Sequence, residues 1–147
     1  MEEKLNYVAP KVEIVYGEYP PIFDRIKEVF PLAGKTTIFA FGDKIYVPGA
    51  DTIDPEILAH ERVHCERQLK IGVLEWWAMY LQDKNFRLNE EVLAHRVEYS
   101  FLRGLFPGRE KRNAILCHVA GKLAHPLYGR MVTMKYAKEL VKNENKR

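Results

Sequence analysis

The residues whose types and spacing best support chemistry lie in the segment LAHERVHCERQ, residues 58–68. His60 and His64 are four positions apart, so on a helix they share one face and lie about one turn from each other. Two imidazoles in this arrangement can bind a single Zn²⁺ at about 2.0–2.1 Å. Glu61 directly follows the first histidine, which places its carboxylate beside the metal, where it can take a proton from a zinc-bound water. The segment therefore predicts a zinc site with hydrolytic chemistry.

The same motif has a second interpretation, which the surrounding sequence disfavours. HExxH matches also occur by chance in helices, and two histidines on a buried helical face can be hydrogen-bonded core residues. Asp54 followed by Pro55 is typical of a helix N-terminus and Gly72 of a helix end, so the motif is expected inside a helix that runs to about Lys70. A predicted hairpin precedes this helix, and one of its strands, TTIFAF or KIYVP, would pair with an extended peptide.

A catalytic zinc has three protein ligands and one open position, so a third ligand is required. A third histidine six positions after His64 is absent, because that position is Lys70. The helix predicted downstream, in residues 85–99, offers four candidate donors: Glu90, Glu91, His95 and Glu98. Glu91 shares a helical face with His95, whereas Glu90 points about 100° away. Glu98 lies about 10 Å further along the axis, which suits a hydrogen-bond partner of a ligand histidine better than a direct ligand.

The elements that must position these residues form an α+β pattern with the strands first. Lys11–Tyr16 alternates polar and apolar residues as a strand does, and the apolar periodicity of IFDRIKEVF predicts a short helix. TTIFAF and KIYVP are strand candidates joined at Gly42 and Asp43, as in a tight hairpin. After the HExxH helix, the pattern predicts four more helices, at Val73–Asp83, Arg87–Phe106, Glu110–Ala124 and Val132–Asn143. With no repeat or linker, one domain over residues 1–147 is expected.

Composition narrows the class of protein. The chain has 147 residues, a net charge of +3 and two cysteines, too few for a disulfide framework. No apolar run approaches the roughly 20 residues that span a bilayer, and the start, MEEKLNYVAPK, is not a secretory signal. The basic residues are concentrated after residue 59 without an aromatic-interleaved pattern, which argues against nucleic-acid binding. We therefore expect a cytoplasmic protein that binds neither membrane nor nucleic acid.

Three sequence features, in this order, resemble a family of small proteins from tailed phages and prophages: HERVHCERQ, WWAMYLQDKNFRLNEEVLAHR and PLYG. The resemblance covers roughly residues 36–141. It implies a minimal gluzincin, a thermolysin-like zinc peptidase whose third ligand is a glutamate in a following helix. A small twisted three-stranded sheet plus helices is the implied fold. On this sequence the family pattern assigns zinc to His60, His64 and Glu91, with Glu61 as the general base.

The resemblance also implies partners: a peptide or protein substrate, and a phage or host protein in the host cytoplasm. The resemblance does not identify the substrate or the oligomeric state of the protein. This chain has His95 where the family usually has tyrosine, so His95 is either a competing ligand or a hydrogen-bond partner of one.

A peptidase of this kind also needs a donor for the oxyanion that develops during hydrolysis. Tyr128 in PLYG is the candidate, because a constrained turn can present its phenol to the site; a purely turn-capping tyrosine is the alternative. Other side chains of these regions are interpreted as structural: Cys65, Trp76, Trp77, Tyr80, His118 and His125.

Two rival functions belong to other classes. A di-iron carboxylate bundle would use Glu61-x-x-His64, but it requires a second Glu-x-x-His pair that the chain lacks. A non-catalytic phage component, stabilised by zinc and binding another virion or host protein, is the second rival. Glu61 argues against it, because a structural zinc site needs no such carboxylate and closes its fourth position with Cys or His.

Overall fold

The computed structural model describes residues 11–142, which form a three-stranded sheet and six α-helices. The strands are β1 (Glu13–Tyr16), β2 (Phe39–Phe41) and β3 (Lys44–Val47). The helices are α1 (Phe23–Val29), α2 (Pro55–Ile71), α3 (Val73–Gln82), α4 (Lys84–Leu105), α5 (Arg109–Leu123) and α6 (Met134–Lys142), with a 3₁₀ turn at Pro126–Tyr128. The predicted α+β fold with a small three-stranded sheet is confirmed.

The sheet has the order β1-β3-β2. β2 and β3 form the predicted antiparallel hairpin, with Phe39 opposite Tyr46, and Gly42 turns the chain at a φ of 68° that favours glycine. β1 joins the other side of β3 in parallel, with Glu13 beside Lys44. Because β3 is hydrogen-bonded on both sides, KIYVP is excluded as the strand that pairs with substrate, and TTIFAF is the remaining alternative of that prediction. Within residues 11–142, β1 and β2 are the edge strands.

The free edge of β2 is itself partly occupied. Gln68, fully buried on α2, donates from Nε2 to the Ala40 carbonyl at 2.9 Å and accepts from the Gly42 amide at 2.6 Å. The Trp77 indole also donates to the Ala40 carbonyl, at 3.2 Å. These bonds fix the HExxH helix and α3 to the hairpin. They leave the segment just before β2, rather than β2 itself, available to an extended peptide.

Helix α2 forms as its end signals predict. Asp54 occupies the N-cap and Pro55 the first turn, although the Asp54 side chain makes no capping hydrogen bond, and Gly72 ends the helix at a φ of 112°. The buried face of this helix consists of His60, Glu61, His64, Cys65 and Gln68. Because the buried face of α2 is mostly polar, its polar side chains require hydrogen-bond or charge partners. Helix α2 packs chiefly on α4, and α4 carries many of these partners.

Helix α4 begins three residues earlier than predicted. Asp83, predicted as the last residue of the preceding helix, is the N-cap of α4: its side chain accepts from the backbone amides of Asn85 at 2.9 Å and Phe86 at 3.2 Å. The last helix also differs, because it starts at Met134 after Thr133, whose hydroxyl caps it. Its predicted final residue, Asn143, lies outside the described residues.

Three apolar clusters stabilise the described elements, and the smallest cluster lies between the hairpin and α2 around Ile45, Val47 and Cys65. The first joins α1, β2, β3 and α3 around Ile26, Phe39 and Trp76, and the second joins α4, α5 and α6 around Leu102, Val119, Leu123 and Val141. Within residues 11–142, no helix combines the length and the apolar character that crossing a bilayer requires.

Candidate metal centre

The structure brings His60, His64 and Glu91 together between α2 and α4. The Nε2 atom of His60 lies 3.4 Å from Oε1 of Glu91, and Nε2 of His64 lies 3.1 Å from Oε2. One donor atom from each residue falls within 4.8 Å of the others, and all three residues are buried. Donors at about 2.0–2.1 Å from a tetrahedral zinc are separated from each other by roughly 3.3 Å. The spacing of these side chains therefore fits a single ion of that size.

Hydrogen bonding supplies an independent test of this fit. Within residues 11–142, buried side-chain atoms without a hydrogen-bond partner are both ring nitrogens of His64, Oε1 of Glu91 and Nε2 of His95. Leaving a buried polar atom unpaired costs about 1–3 kcal/mol, and native structures contain few such atoms. Their concentration at one place indicates a missing partner. A cation that accepts nitrogen and oxygen donors satisfies this requirement.

The electrostatics of the site also favour a cation. Burial by itself lowers the pKa of His60, but the neighbouring carboxylates, above all Glu91 and Glu98, outweigh it and raise the pKa to about 10. Burial raises the pKa of Glu91, yet His64 and His60 lower it well below its usual range. The cluster therefore stabilises positive charge at the point where the three donors converge.

Glu98 fixes the orientation of the first histidine. Nδ1 of His60 lies 3.0 Å from Oε1 of Glu98, and the ammonium of Lys122, on α5, donates to the other oxygen. Burial raises the pKa of Glu98, but His60 and Lys122 outweigh this effect and lower it to about 2. A carboxylate bound to Nδ1 turns Nε2 toward the cluster, as in many metal sites. This is the arrangement that the position of Glu98 in the sequence predicts.

Glu90 is engaged elsewhere, as predicted from its direction on the helix. Arg67 binds both of its oxygens, with Nε–Oε1 at 3.1 Å and Nη2–Oε2 at 2.9 Å. The indole of Trp76 donates to Oε1 at 2.9 Å. With both oxygens occupied on the far side of Trp76, Glu90 contributes no donor to the cluster.

His95 lies beside the cluster with one nitrogen already occupied. Its Nδ1 donates to the backbone carbonyl of Glu91 at 2.7 Å, and its ring centroid lies 4.6 Å from that of His60. Burial, reinforced by the charge of His60, lowers the pKa of His95 to about 4, so the ring is neutral. Its Nε2 atom also forms a possible donor group with His60 and Glu98. The carboxylate of Glu91, which faces both ligand-helix histidines, has the better geometry.

Glu61 lines a cavity of about 60 Å³. The residue is 8% exposed, and burial raises the pKa of its carboxyl group. His64 and Glu91 also reach this cavity, whose other walls are largely apolar and include Ile26, Phe30, Phe39, Trp77 and Leu127. A second cleft shares Glu61 with this cavity and is also lined by His60, Lys122 and His125. Glu61 thus lines both openings.

Tyr128 separates the two openings and lines both. The turn that carries it is fixed by His125, whose Nδ1 accepts from the Leu127 amide at 2.9 Å, and by Gly129 at a φ of 84°. Burial and the negative charges of Glu91 and Glu61 raise the pKa of Tyr128 far above its usual value. The phenol therefore keeps its proton beside the carboxylates of Glu91 and Glu61.

Three polar side chains of the site were missed or interpreted as structural from the sequence: Tyr80, Lys122 and His125. Tyr80 packs in the core as predicted, but its hydroxyl also donates to Oε2 of Glu91. Its spacing of four from Trp76, which contacts His64, was a usable signal, because residues four apart share a helical face. Lys122 lies 24 residues from Glu98, and no local pattern connects them.

Comparisons of the chain with protein-family models, with curated proteins and with solved structures give no match.

Proposed function

We propose that this protein is a zinc-dependent peptidase in which His60, His64 and Glu91 hold the ion and Glu61 is the general base. The observation that supports this most directly is the convergence of His60, His64 and Glu91, whose facing atoms lie 3.1–3.4 Å apart. Buried atoms of His64 and Glu91 at this point have no hydrogen-bond partner, and the Glu61 carboxylate lines the adjoining cavity. The ion, when bound, supplies an acidified water and polarises the scissile carbonyl. The protein's residues supply the remaining steps.

Glu61 transfers the proton during hydrolysis. Its buried carboxylate has a raised pKa, which makes it a stronger base than an exposed glutamate. It takes a proton from the attacking water on one carboxylate oxygen and delivers that proton to the leaving amine. Tyr128, which keeps its phenolic proton, donates a hydrogen bond to the carbonyl oxygen as negative charge develops there.

An extended peptide is the substrate class that the openings fit. Thr37 and Ile38 precede the edge strand β2 and, like Glu61, line both the cavity and the cleft. A peptide lying along this segment would pass Glu61 and Tyr128, with side chains entering the two openings. The occupied carbonyl of Ala40 limits this pairing to the residues before β2.

A purely structural zinc site is less well supported. Such a site closes its fourth position with Cys or His, and the nearest cysteine in sequence, Cys65, directs its sulfur toward the Lys44 carbonyl at 3.8 Å. The exposure of Glu61 to a cavity is unnecessary for a structural ion. The proposal retains the cytoplasmic location, where the free thiols of Cys65 and Cys117 stay reduced.

The test combines metal content with hydrolysis. Purified protein should contain one zinc per chain, and His64→Ala should lose it, whereas His118→Ala, at an exposed histidine of α5, should retain it. A mixed peptide library should be cleaved by the zinc-loaded protein. Glu61→Gln should keep its zinc but lose about 10²–10⁴-fold in rate, and Glu56→Gln on the same helix should not. Stoichiometric zinc in His64→Ala, or undiminished cleavage by Glu61→Gln, would contradict the proposal.

A further inference from the structure

We propose that Tyr80 is a positioning residue that holds one oxygen of Glu91 and so restricts this carboxylate to binding the ion through its other oxygen. The inference rests on the proposed metal centre and assigns a function to a side chain that otherwise belongs to the apolar core. It concerns the number of positions left open at the ion, which decides whether water can bind there.

The two oxygens of Glu91 have different surroundings. Oε2 accepts a hydrogen bond from the hydroxyl of Tyr80, whereas Oε1 is buried and has no hydrogen-bond partner within residues 11–142. Oε1 is also the oxygen that lies 3.4 Å from Nε2 of His60. Both oxygens therefore face a ligand histidine, since Oε2 lies 3.1 Å from Nε2 of His64, but only Oε2 also accepts a hydrogen bond from a neutral donor.

The Tyr80 side chain is rigidly held. Its ring stacks on Trp76 with centroids 4.7 Å apart and an interplanar angle of 19°, and Phe30 packs edge-on at 5.9 Å. The Trp76 indole is fixed in turn by Glu90, and the backbone carbonyl of Tyr80 accepts from Arg87 at 3.1 Å. A phenol fixed in this way cannot follow the carboxylate if it rotates. The hydrogen bond therefore sets the carboxylate orientation.

This orientation matters because a carboxylate can bind a metal through one oxygen or two. Binding through both adds a ligand and occupies the position that a catalytic zinc must leave for water. The hydroxyl of Tyr80 opposes that second bond, since Oε2 would have to leave its donor in a buried site. Tyr80 thus preserves the open position without touching the ion.

The variant Tyr80→Phe removes only the hydroxyl, and Tyr46→Phe is the matched control. Tyr46 is a buried core tyrosine of β3 that lines neither opening of the site. Each protein is loaded with Co²⁺ in place of zinc, and its visible absorption is recorded, because four-coordinate Co²⁺ absorbs more strongly than five-coordinate Co²⁺. Tyr80→Phe should lose intensity as the second oxygen joins, and Tyr46→Phe should match the parent. Identical spectra for all three proteins would overturn the inference.

A measurement on the parent protein covers the case in which Tyr80→Phe does not fold. In a zinc-loaded crystal structure, one oxygen of Glu91 should lie about 2.0–2.2 Å from the ion, and the oxygen bonded to Tyr80 should lie clearly farther away. Two oxygens at bonding distance would also overturn the inference, while leaving the metal centre intact. A parent protein that binds no zinc or Co²⁺ would instead refute the metal centre itself.

Discussion

Nδ1 of His60 and Oε1 of Glu98 are 3.0 Å apart, in a hydrogen bond that links α2 to α4 across 38 residues of sequence. Glu98 is fully buried, and its second oxygen is bound by Lys122 of α5. Glu98 consequently holds the His60 ring in one orientation, and Lys122 balances the negative charge of Glu98. Three helices therefore cooperate in aiming a single ring nitrogen.

Glu98→Gln should weaken zinc binding about 10–100-fold, the usual effect of losing a partner of a ligand histidine. The amide keeps the shape of the side chain but lacks the charge that supports the His60–Lys122 arrangement. Zinc affinity is measured by competition with a chromophoric chelator. Glu110→Gln, at an exposed glutamate near the start of α5, is the control and should bind as the parent does. Equal affinities for both variants would show that the Glu98 bond does not orient the ligand.

Substitutions of the two adjacent glutamates of α4 should have different effects, one on metal binding and the other on the free energy of unfolding. Glu91→Gln should lose stoichiometric zinc, because the amide removes the anionic donor that faces both histidines. Glu90→Gln should retain zinc but lower the free energy of unfolding by about 1–3 kcal/mol, since Arg67 and Trp76 lose a charged acceptor. Metal analysis and urea unfolding of the metal-free proteins measure the two effects. Zinc lost from Glu90→Gln but retained by Glu91→Gln would reverse the assignment.

The sequence predicts the contacts of this site well where the two residues are close along the chain, and poorly where they are far apart. His60 and His64 are one helical turn apart, so their shared face follows from spacing alone. Spacing left Glu91 and His95 as alternatives, and the choice of Glu91 came from a resemblance between motifs. Packing favours Glu91, because its carboxylate oxygens lie 3.4 and 3.1 Å from Nε2 of His60 and His64.

Contacts between helices that are far apart in the sequence were harder to predict. The bond from Tyr80 to Glu91 and that from Lys122 to Glu98 depend on how α3 and α5 pack on α4, which periodicity does not specify. The same limit applies to the choice of the strand that is proposed to pair with substrate. Composition favoured TTIFAF and KIYVP equally, and only the position of β1 beside β3 excludes the second.

The two cysteines should differ sharply in reactivity. Cys65 is fully buried, and burial together with the charges of Glu61 and Asp43 raises its pKa to about 12. A raised pKa means less thiolate at pH 8, so Cys65 should not react with iodoacetamide in the folded protein. Cys117 is partly exposed and should be alkylated. Mass spectrometry of the digested protein should find one modified thiol in the native state and two after denaturation; rapid native labelling of Cys65 would contradict its position under the hairpin.

Tyr128→Phe should slow hydrolysis without releasing the metal. The phenol lies between the two openings beside Glu61, and losing one donor to a developing oxyanion costs about 10²–10³-fold in kcat. KM and zinc affinity should change little, because the interaction strengthens only as charge develops. Tyr136→Phe, at an exposed tyrosine of α6, is the control with the same chemical change. If Tyr128→Phe hydrolyses peptide at the parent rate but unfolds at lower urea concentration, the phenol stabilises the Pro126–Tyr128 turn instead of the oxyanion.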